Sequence, residues 1–135
     1  MLLVDTGVFV SAADRSEHRH SECSALLRER QDLYVAAPVV PETAWMLESR
    51  LGPIAEERFV SLVTSGRFEI VDLVPADYLR VLELIKRYAD LRLGFVDASI
   101  VAVAERRNIT SVATLNRRDF AVVQPDHMES LDLVP

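Results

Sequence analysis

Leu2-Leu3-Val4-Asp5-Thr6-Gly7 opens the chain, and its reading decides the fold. Residues 2–4 read as a short buried strand, ended by an acid and a turn that leads into apolar Val8-Phe9-Val10. The same pairing recurs further on. Glu42 follows Tyr34-Val35-Ala36-Ala37 by way of Val39-Val40-Pro41, Asp97 follows Phe95-Val96, and Asn116 and Asp119 follow Ser111-Val112-Ala113-Thr114. In an open parallel sheet such turns gather at the carboxyl ends of the strands, where ligands bind. Acids distant in sequence are then expected to meet in one cleft.

Between these points the chain alternates strand and helix signals. The polar segment 14–20 enters a helix near Ser16 that runs to about Arg30, with Cys23, Leu26 and Leu27 on its apolar face. Leu33–Ala36 reads as a strand. Pro41 suits the first position of a helix reaching about Leu51. After the Gly52-Pro53 break, a helix covers Ile54 to Thr64 and Gly66 ends it. Residues 68–73 alternate at period two, a strand with one wetter face. Helices follow at Ala76–Asp90 and Ala98–Arg107, then a strand at Ser111–Thr114 and a last short one at Leu131–Val134. This alternation predicts a single domain over residues 1–135: a three-layer α/β/α sandwich with a small, mainly parallel central sheet.

Composition narrows the function classes. The chain has 135 residues, half of them hydrophobic, which suits one folded globular domain. Fifteen basic and 21 acidic residues give a net charge of −6, against a general nucleic-acid coating protein but compatible with an acidic site that binds cations. Lys86 is the only lysine; Arg106-Arg107 and Arg117-Arg118 flank the last two acidic positions, where arginine suits phosphate contact. The single Cys23 excludes an intrachain disulfide or a cysteine zinc cluster and reads as a buried hydrophobe. There is no basic n-region and no apolar stretch of membrane-spanning length, so a soluble cytoplasmic protein is expected.

Each acid has a plain structural explanation. Asp5 could stabilise the turn before Gly7, Glu42 could complement a helix dipole, Asp97 could be an N-cap, and Asp119 could cap a short turn before Phe120. Those explanations do not account for the shared placement, because serine or threonine caps equally well. Convergent carboxylates call for a counter-charge, and Mg²⁺ or Mn²⁺ suits all-oxygen ligands. Asp5 and Asp97 are then the core metal ligands, with Glu42 and Asp119 holding a second ion or orienting water. Thr6, Thr114 and Asn116 supply supporting hydrogen bonds. The pattern points to a metal-dependent enzyme acting on phosphate. His18, His20 and His127 form no metal-binding pattern and read as surface residues; Trp45 reads as core or interface packing.

Taken in order, four segments carry a resemblance: Leu3-Val4-Asp5-Thr6-Gly7, Pro41-Glu42, Gly94-Phe95-Val96-Asp97-Ala98-Ser99, and Ala113-Thr114-Leu115-Asn116-Arg117-Arg118-Asp119-Phe120. Across essentially its whole length the chain resembles the PIN-domain family, and more closely the VapC-type toxins of bacterial toxin–antitoxin pairs. The resemblance implies a Mg²⁺- or Mn²⁺-dependent endoribonuclease that cleaves structured RNA, with transfer or ribosomal RNA as the substrate class. It also implies a homodimer held inactive by a VapB-type antitoxin. By position, Asp5, Glu42 and Asp97 match the family's first three acids. Asn116 stands where the family commonly has aspartate, and Asp119 follows three residues on. Arg117 and Arg118 are expected to touch RNA phosphate. Trp45, Phe59 and Leu62, on adjacent helices, suggest a shared dimer face.

Two other readings remain. A PIN-like module with impaired chemistry, suggested by Asn116 and the acidic charge, would bind RNA or protein without metal-dependent cleavage. A phosphotransfer domain would use Asp5 as nucleophile, but a phosphatase-like Asp-x-Asp pair needs an acid at position 7, where Gly7 stands.

Overall fold

One parallel sheet organises the chain. In the computed structural model, which describes residues 1–135, its strands are β1 (Leu2–Val4), β2 (Leu33–Ala36), β3 (Glu69–Val71), β4 (Ser111–Ala113) and β5 (Asp132–Val134). Their spatial order is β3-β2-β1-β4-β5 and every neighbouring pair is parallel. The register aligns Leu2 with Leu33 on one side and with Ser111 on the other. Central β1 is therefore covered on both faces, and Leu2, Leu3 and Val4 are fully buried, as a strand between two helical layers requires.

The helices are α1 (Thr6–Ala13), α2 (His20–Glu29), α3 (Val39–Leu51), α4 (Pro53–Thr64), α5 (Pro75–Arg87), α6 (Phe95–Arg107) and α7 (Arg117–Val122). The chain leaves β1 in one direction toward β2 and β3, then returns to fill β4 and β5 on the other side. Right-handed crossovers put α1–α4 on one face and α5–α7 on the other. The packing agrees: α1 contacts α2 and α3, α3 contacts α4, and α5 contacts α6. The reversal of direction lies between β1 and β4. Ligand crevices form at such a switch point, outside the carboxyl ends of the strands.

Several boundaries differ from the sequence-based expectation. Residues 6–13 form α1 rather than only a turn and an apolar run; Val8, Phe9 and Val10 are buried there, so packing overrides the weak helix propensity of glycine and valine. Helix α2 starts at His20, four residues later than expected, because 15–19 form turns and a bend. Helix α3 starts at Val39, so Pro41 lies within its first turn and Pro38 is the N-cap. Helix α6 starts at Phe95 after Gly94, which moves Asp97 into the first turn and excludes it as the N-cap.

Helix α6 is the most enclosed: Ala98 to Ala104 are all buried, as expected for a helix apolar all round. Its last turn is stitched to α5. Arg80 Nε lies 2.8 Å from Glu105, and Arg106 Nη2 lies 2.9 Å from buried Asp77. Arg107 pairs with Glu69 at 3.5 Å and lies over the Tyr34 ring. The Arg106-Arg107 pair is thus engaged in the fold.

Phe9, Phe59 and Phe68 form an aromatic cluster with centroids 5.3–6.4 Å apart. Phe59 is buried in it and Leu62 packs against the same core, whereas Trp45 is 68% exposed. The shared helical face expected from these three residues is therefore corrected, and Trp45 is not core packing. On α5 and α6 of the opposite layer the exposed large apolar side chains are Tyr78, Leu79, Leu82 and Phe95, and the Tyr78 and Phe95 rings lie 6.1 Å apart. His20 and His127, expected on the surface, are half-buried, each with a ring nitrogen 2.8 Å from a backbone carbonyl, of Ser11 and Ile109 respectively. No helix is long and apolar enough to cross a membrane.

Arg67 closes α2. Its Nη2 donates to the carbonyls of Leu27 and Arg30 at 2.6 and 2.5 Å, with a longer bond to Arg28, so one guanidinium satisfies the orphan carbonyls of a helix end. Arg67→Ala is expected to destabilise the protein by about 1–3 kcal/mol. Urea unfolding checks this; a midpoint equal to wild type would contradict it.

Candidate active site

Three elements deliver the acids to one place. Asp5 leaves β1 and is the N-cap of α1: its Oδ1 accepts from Thr6 N at 2.7 Å. Its backbone N–H donates to Ala113 O at 2.9 Å, which locks the end of β1 to the end of β4. Capping does not exhaust the carboxylate. Oδ2 accepts the Thr114 hydroxyl at 2.7 Å, and each carboxylate oxygen retains lone-pair capacity. Glu42 comes from the first turn of α3, and its Oε2 accepts from Thr6 Oγ1 at 2.9 Å. Asp97 comes from the first turn of α6.

The β4–α7 connection ties them together. Asn116 N donates to Thr114 Oγ1 at 3.0 Å. The Asn116 side-chain amide donates to Asp97 Oδ2 at 3.1 Å and to Asp119 Oδ2 at 3.0 Å. An ionised carboxylate only accepts, so the NH₂ group is the half of the amide that fits between them.

The result is a cleft of about 410 Å³ at the carboxyl end of the sheet. Asp5, Thr6, Glu42, Asp97 and Asn116 line it, with Gly7, Met46 and Leu115. Asp119 is not part of the lining; it stands behind Asn116 and joins the site through the amide. Thr114 is wholly buried beneath Asp5. Met46 and Leu115 were not foreseen in the sequence, although Met46 lies one helical turn from Glu42 on the same face.

No lysine or arginine lines the cleft, and the electrostatics follow. Burial raises the Asp5 carboxyl above its ordinary range, and Glu42 adds to this; hydrogen bonds from Thr114 and the Thr6 N–H act in the opposite sense. Asp97 is pushed up to about 7, first by burial and then by the charge of Asp5, with Glu42 and Asp119 adding and the Asn116 hydrogen bond opposing. A bound cation would reverse this local balance.

The donor set fits a hard divalent ion. Every candidate ligand is an oxygen, as Mg²⁺ and Mn²⁺ prefer. No three His, Cys, Asp or Glu side chains form a ready-made cage. The fit is thus to an ion that keeps much of its water and is held through one or two carboxylates.

The arginines expected at RNA phosphate differ in their commitments. Arg117 Nη1 donates to Leu133 O at 3.2 Å and Pro135 O at 2.7 Å, so it fastens the β5 end of the chain. Arg118, the next residue, is exposed on α7.

Fold and site together define a parallel α/β/α sandwich with an acidic, oxygen-donor cleft at its switch point. Residues 2–124 match the PIN domain family, and the chain belongs to that family. Among relatives, it is 27% identical over 125 residues to Ribonuclease VapC26 of Mycobacterium tuberculosis, covering 92% of this chain and 93% of the relative. Among solved structures it is similar to M. tuberculosis VapC20, a Sarcin-Ricin loop cleaving toxin, with a TM-score of 0.77, 20% identity, and coverage of 83% of this chain and 87% of that one. It is also similar to VapBC2 from Rickettsia felis bound to a DNA fragment from its promoter, with a TM-score of 0.68, 18% identity, and coverage of 98% and 96%.

Proposed function

We propose that this chain is a VapC-type endoribonuclease toxin, dependent on Mg²⁺ or Mn²⁺ and neutralised by a VapB-type antitoxin, with residues 1–135 forming its single domain. The observation that carries the reading is the convergence of Asp5, Glu42 and Asp97 in one cleft that has no basic side chain. The ribonuclease relative and the toxin–antitoxin structures among the similar folds support it.

In this reading Asp5 and Asp97 hold the ion. When bound, the ion supplies positive charge at the scissile phosphate and acidifies water. Glu42 is oriented by the Thr6 hydroxyl and takes the proton of the attacking water. Thr114 fixes Asp5 from below, while Asn116 fixes Asp97 and joins Asp119 to the site. Arg118 is free to meet RNA phosphate, whereas Arg117 would first have to release the chain end. Single-stranded loops of transfer or ribosomal RNA are the fitting substrate, because their backbones can be splayed into a cleft.

A groove of about 440 Å³ between α1, α2 and α4 has an apolar floor that includes Phe9, Leu27, Phe59 and Leu62, with Arg15 and Arg58 beside it. It suits an antitoxin segment that alternates apolar and acidic residues.

Purified, antitoxin-free protein incubated with total RNA and Mg²⁺, Mn²⁺ or EDTA tests the activity. Discrete cuts that need metal and stop on adding the antitoxin are expected. Saturable RNA binding with no cleavage under either ion would instead favour the impaired binding module, the reading to which Asn116 gives most support.

The homodimer is assigned to the Tyr78–Leu79–Leu82–Phe95 face, the exposed apolar surface of α5 and α6. Leu82→Asp is expected to reduce the light-scattering mass to that of one chain, 15.2 kDa. An unchanged dimer mass would place the interface elsewhere.

A further inference from the structure

Both N–H groups of the Asn116 amide are used, one on each of two carboxylates. We propose that Asn116 limits the cleft to a single divalent ion, its amide filling the place between Asp97 and Asp119 that a second ion would take. The proposal rests on the metal-dependent reading given above.

The amide nitrogen sits 3.1 Å from Asp97 Oδ2 and 3.0 Å from Asp119 Oδ2. Asp97 and Asp119 would be the residues to hold a second cation there, and the amide already occupies the space between their oxygens. The amide bridges the pair with two N–H dipoles and adds no charge. Two carboxylates sharing a site without such a bridge repel, and one of them is forced to keep its proton.

Asn116 is also poorly placed to swing aside. Its backbone N–H is held by Thr114 Oγ1 at 3.0 Å, and Thr114 is wholly buried and hydrogen-bonded to Asp5. Asp97 lines the cleft with Asp5 and Glu42, whereas Asp119 does not. The amide thus partitions the acids, leaving Asp5, Glu42 and Asp97 at the cleft and Asp119 behind the bridge. Aspartate at position 116 would remove both donors and add a carboxylate between two others. That arrangement calls for a second cation.

Asn116 is in this sense a positioning residue, and ion stoichiometry is the readout a purely structural role would not move. Mn²⁺ titration followed by electron paramagnetic resonance is expected to give one bound ion per chain for the wild type. Asn116→Asp is expected to bind two, with the exchange-coupled signal of ions about 4 Å apart. Asn116→Ala, which empties that place and leaves Asp97 and Asp119 unbridged, should also admit a second ion, though more weakly than Asn116→Asp because it adds no charge. Two ions in the wild type, or one in folded Asn116→Asp, overturns the proposal and leaves the metal-dependent reading intact. If Asn116→Asp does not fold, the wild-type stoichiometry decides. No bound Mn²⁺ in any of the proteins overturns the metal-dependent reading itself, and this inference with it.

Discussion

Asp97→Asn is expected to abolish metal-dependent RNA cleavage while making the metal-free protein more stable. Asp97 lies in the cleft beside Asp5 and Glu42, and burial and their charge push its carboxyl up to about 7. A neutral amide at this position fits the same space and still offers an oxygen to the Asn116 NH₂ group, so the fold is retained. The negative charge needed to hold a divalent ion is lost. A fall on the order of 10²–10³-fold in cleavage rate is expected, the range for losing one element of the electrostatic stabilisation of the transition state. Calorimetric titration with Mn²⁺ should show a far larger loss of affinity for Asp97→Asn than for Asn116→Ala, because only the first removes a ligand charge. Equal losses would contradict the assignment. Loss of cleavage with a lowered melting temperature would instead mark Asp97 as structural.

The second large effect is a dependence of stability on pH that bound metal offsets. Asp97 binds its proton more tightly in the folded state, at about 7, than at the ordinary value of 3.8. Stability of the metal-free protein is therefore greatest near the lower value and is lost as pH rises through the window from 4 to 7. Asp5 is raised as well and acts in the same sense. Asp32 is held low by its hydrogen bonds to Arg30 and the N-terminus, so its opposite contribution falls below this window. The expected slope is on the order of 1 kcal/mol per pH unit, or roughly 4 °C in melting temperature. At pH 8, Mn²⁺ at a hundred times its dissociation constant should restore about 2.7 kcal/mol; at pH 5 protons compete and the gain shrinks. Asp97→Asn should flatten the metal-free profile. A metal-free melting temperature that rises from pH 4 to 7 would contradict this account of the cleft.

The strands and the acids were legible in the sequence because their signals are local. Leu2–Val4 is an uninterrupted apolar run that ends at Asp5, Ser111–Thr114 is a run of small and apolar residues that leads by way of Leu115 to Asn116, and the β1 and β4 boundaries agree to within a residue. Asp5, Glu42 and Asp97 could be brought together on paper by the switch-point rule alone. What was not legible depends on packing. Helix α1 carries a glycine and three β-branched residues in its first five positions, so propensity argues against a helix that the core makes. Helix α7 has only six residues, too few for periodicity to register. Phe95 and Val96 read as an approach to α6 and prove to be its first turn. Trp45 illustrates the same limit, since its helix shows which residues share a face but not which face is covered.

Asn116 marks the deepest part of this limit. Its hydrogen-bonding capacity is plain from the residue type, but its two partners lie 19 residues upstream and three downstream. The sequence presents asparagine at 116 as a departure from the family's aspartate. In the structure it is the joint between Asp97 and Asp119.

Anomalous diffraction from a crystal of the antitoxin-free protein grown with Mn²⁺ tests the central claim most directly. A manganese peak is expected in the cleft, within bonding distance of Asp5 and Asp97 and lost in Asp97→Asn crystals. A fully occupied manganese site elsewhere, with none at these carboxylates, would contradict it.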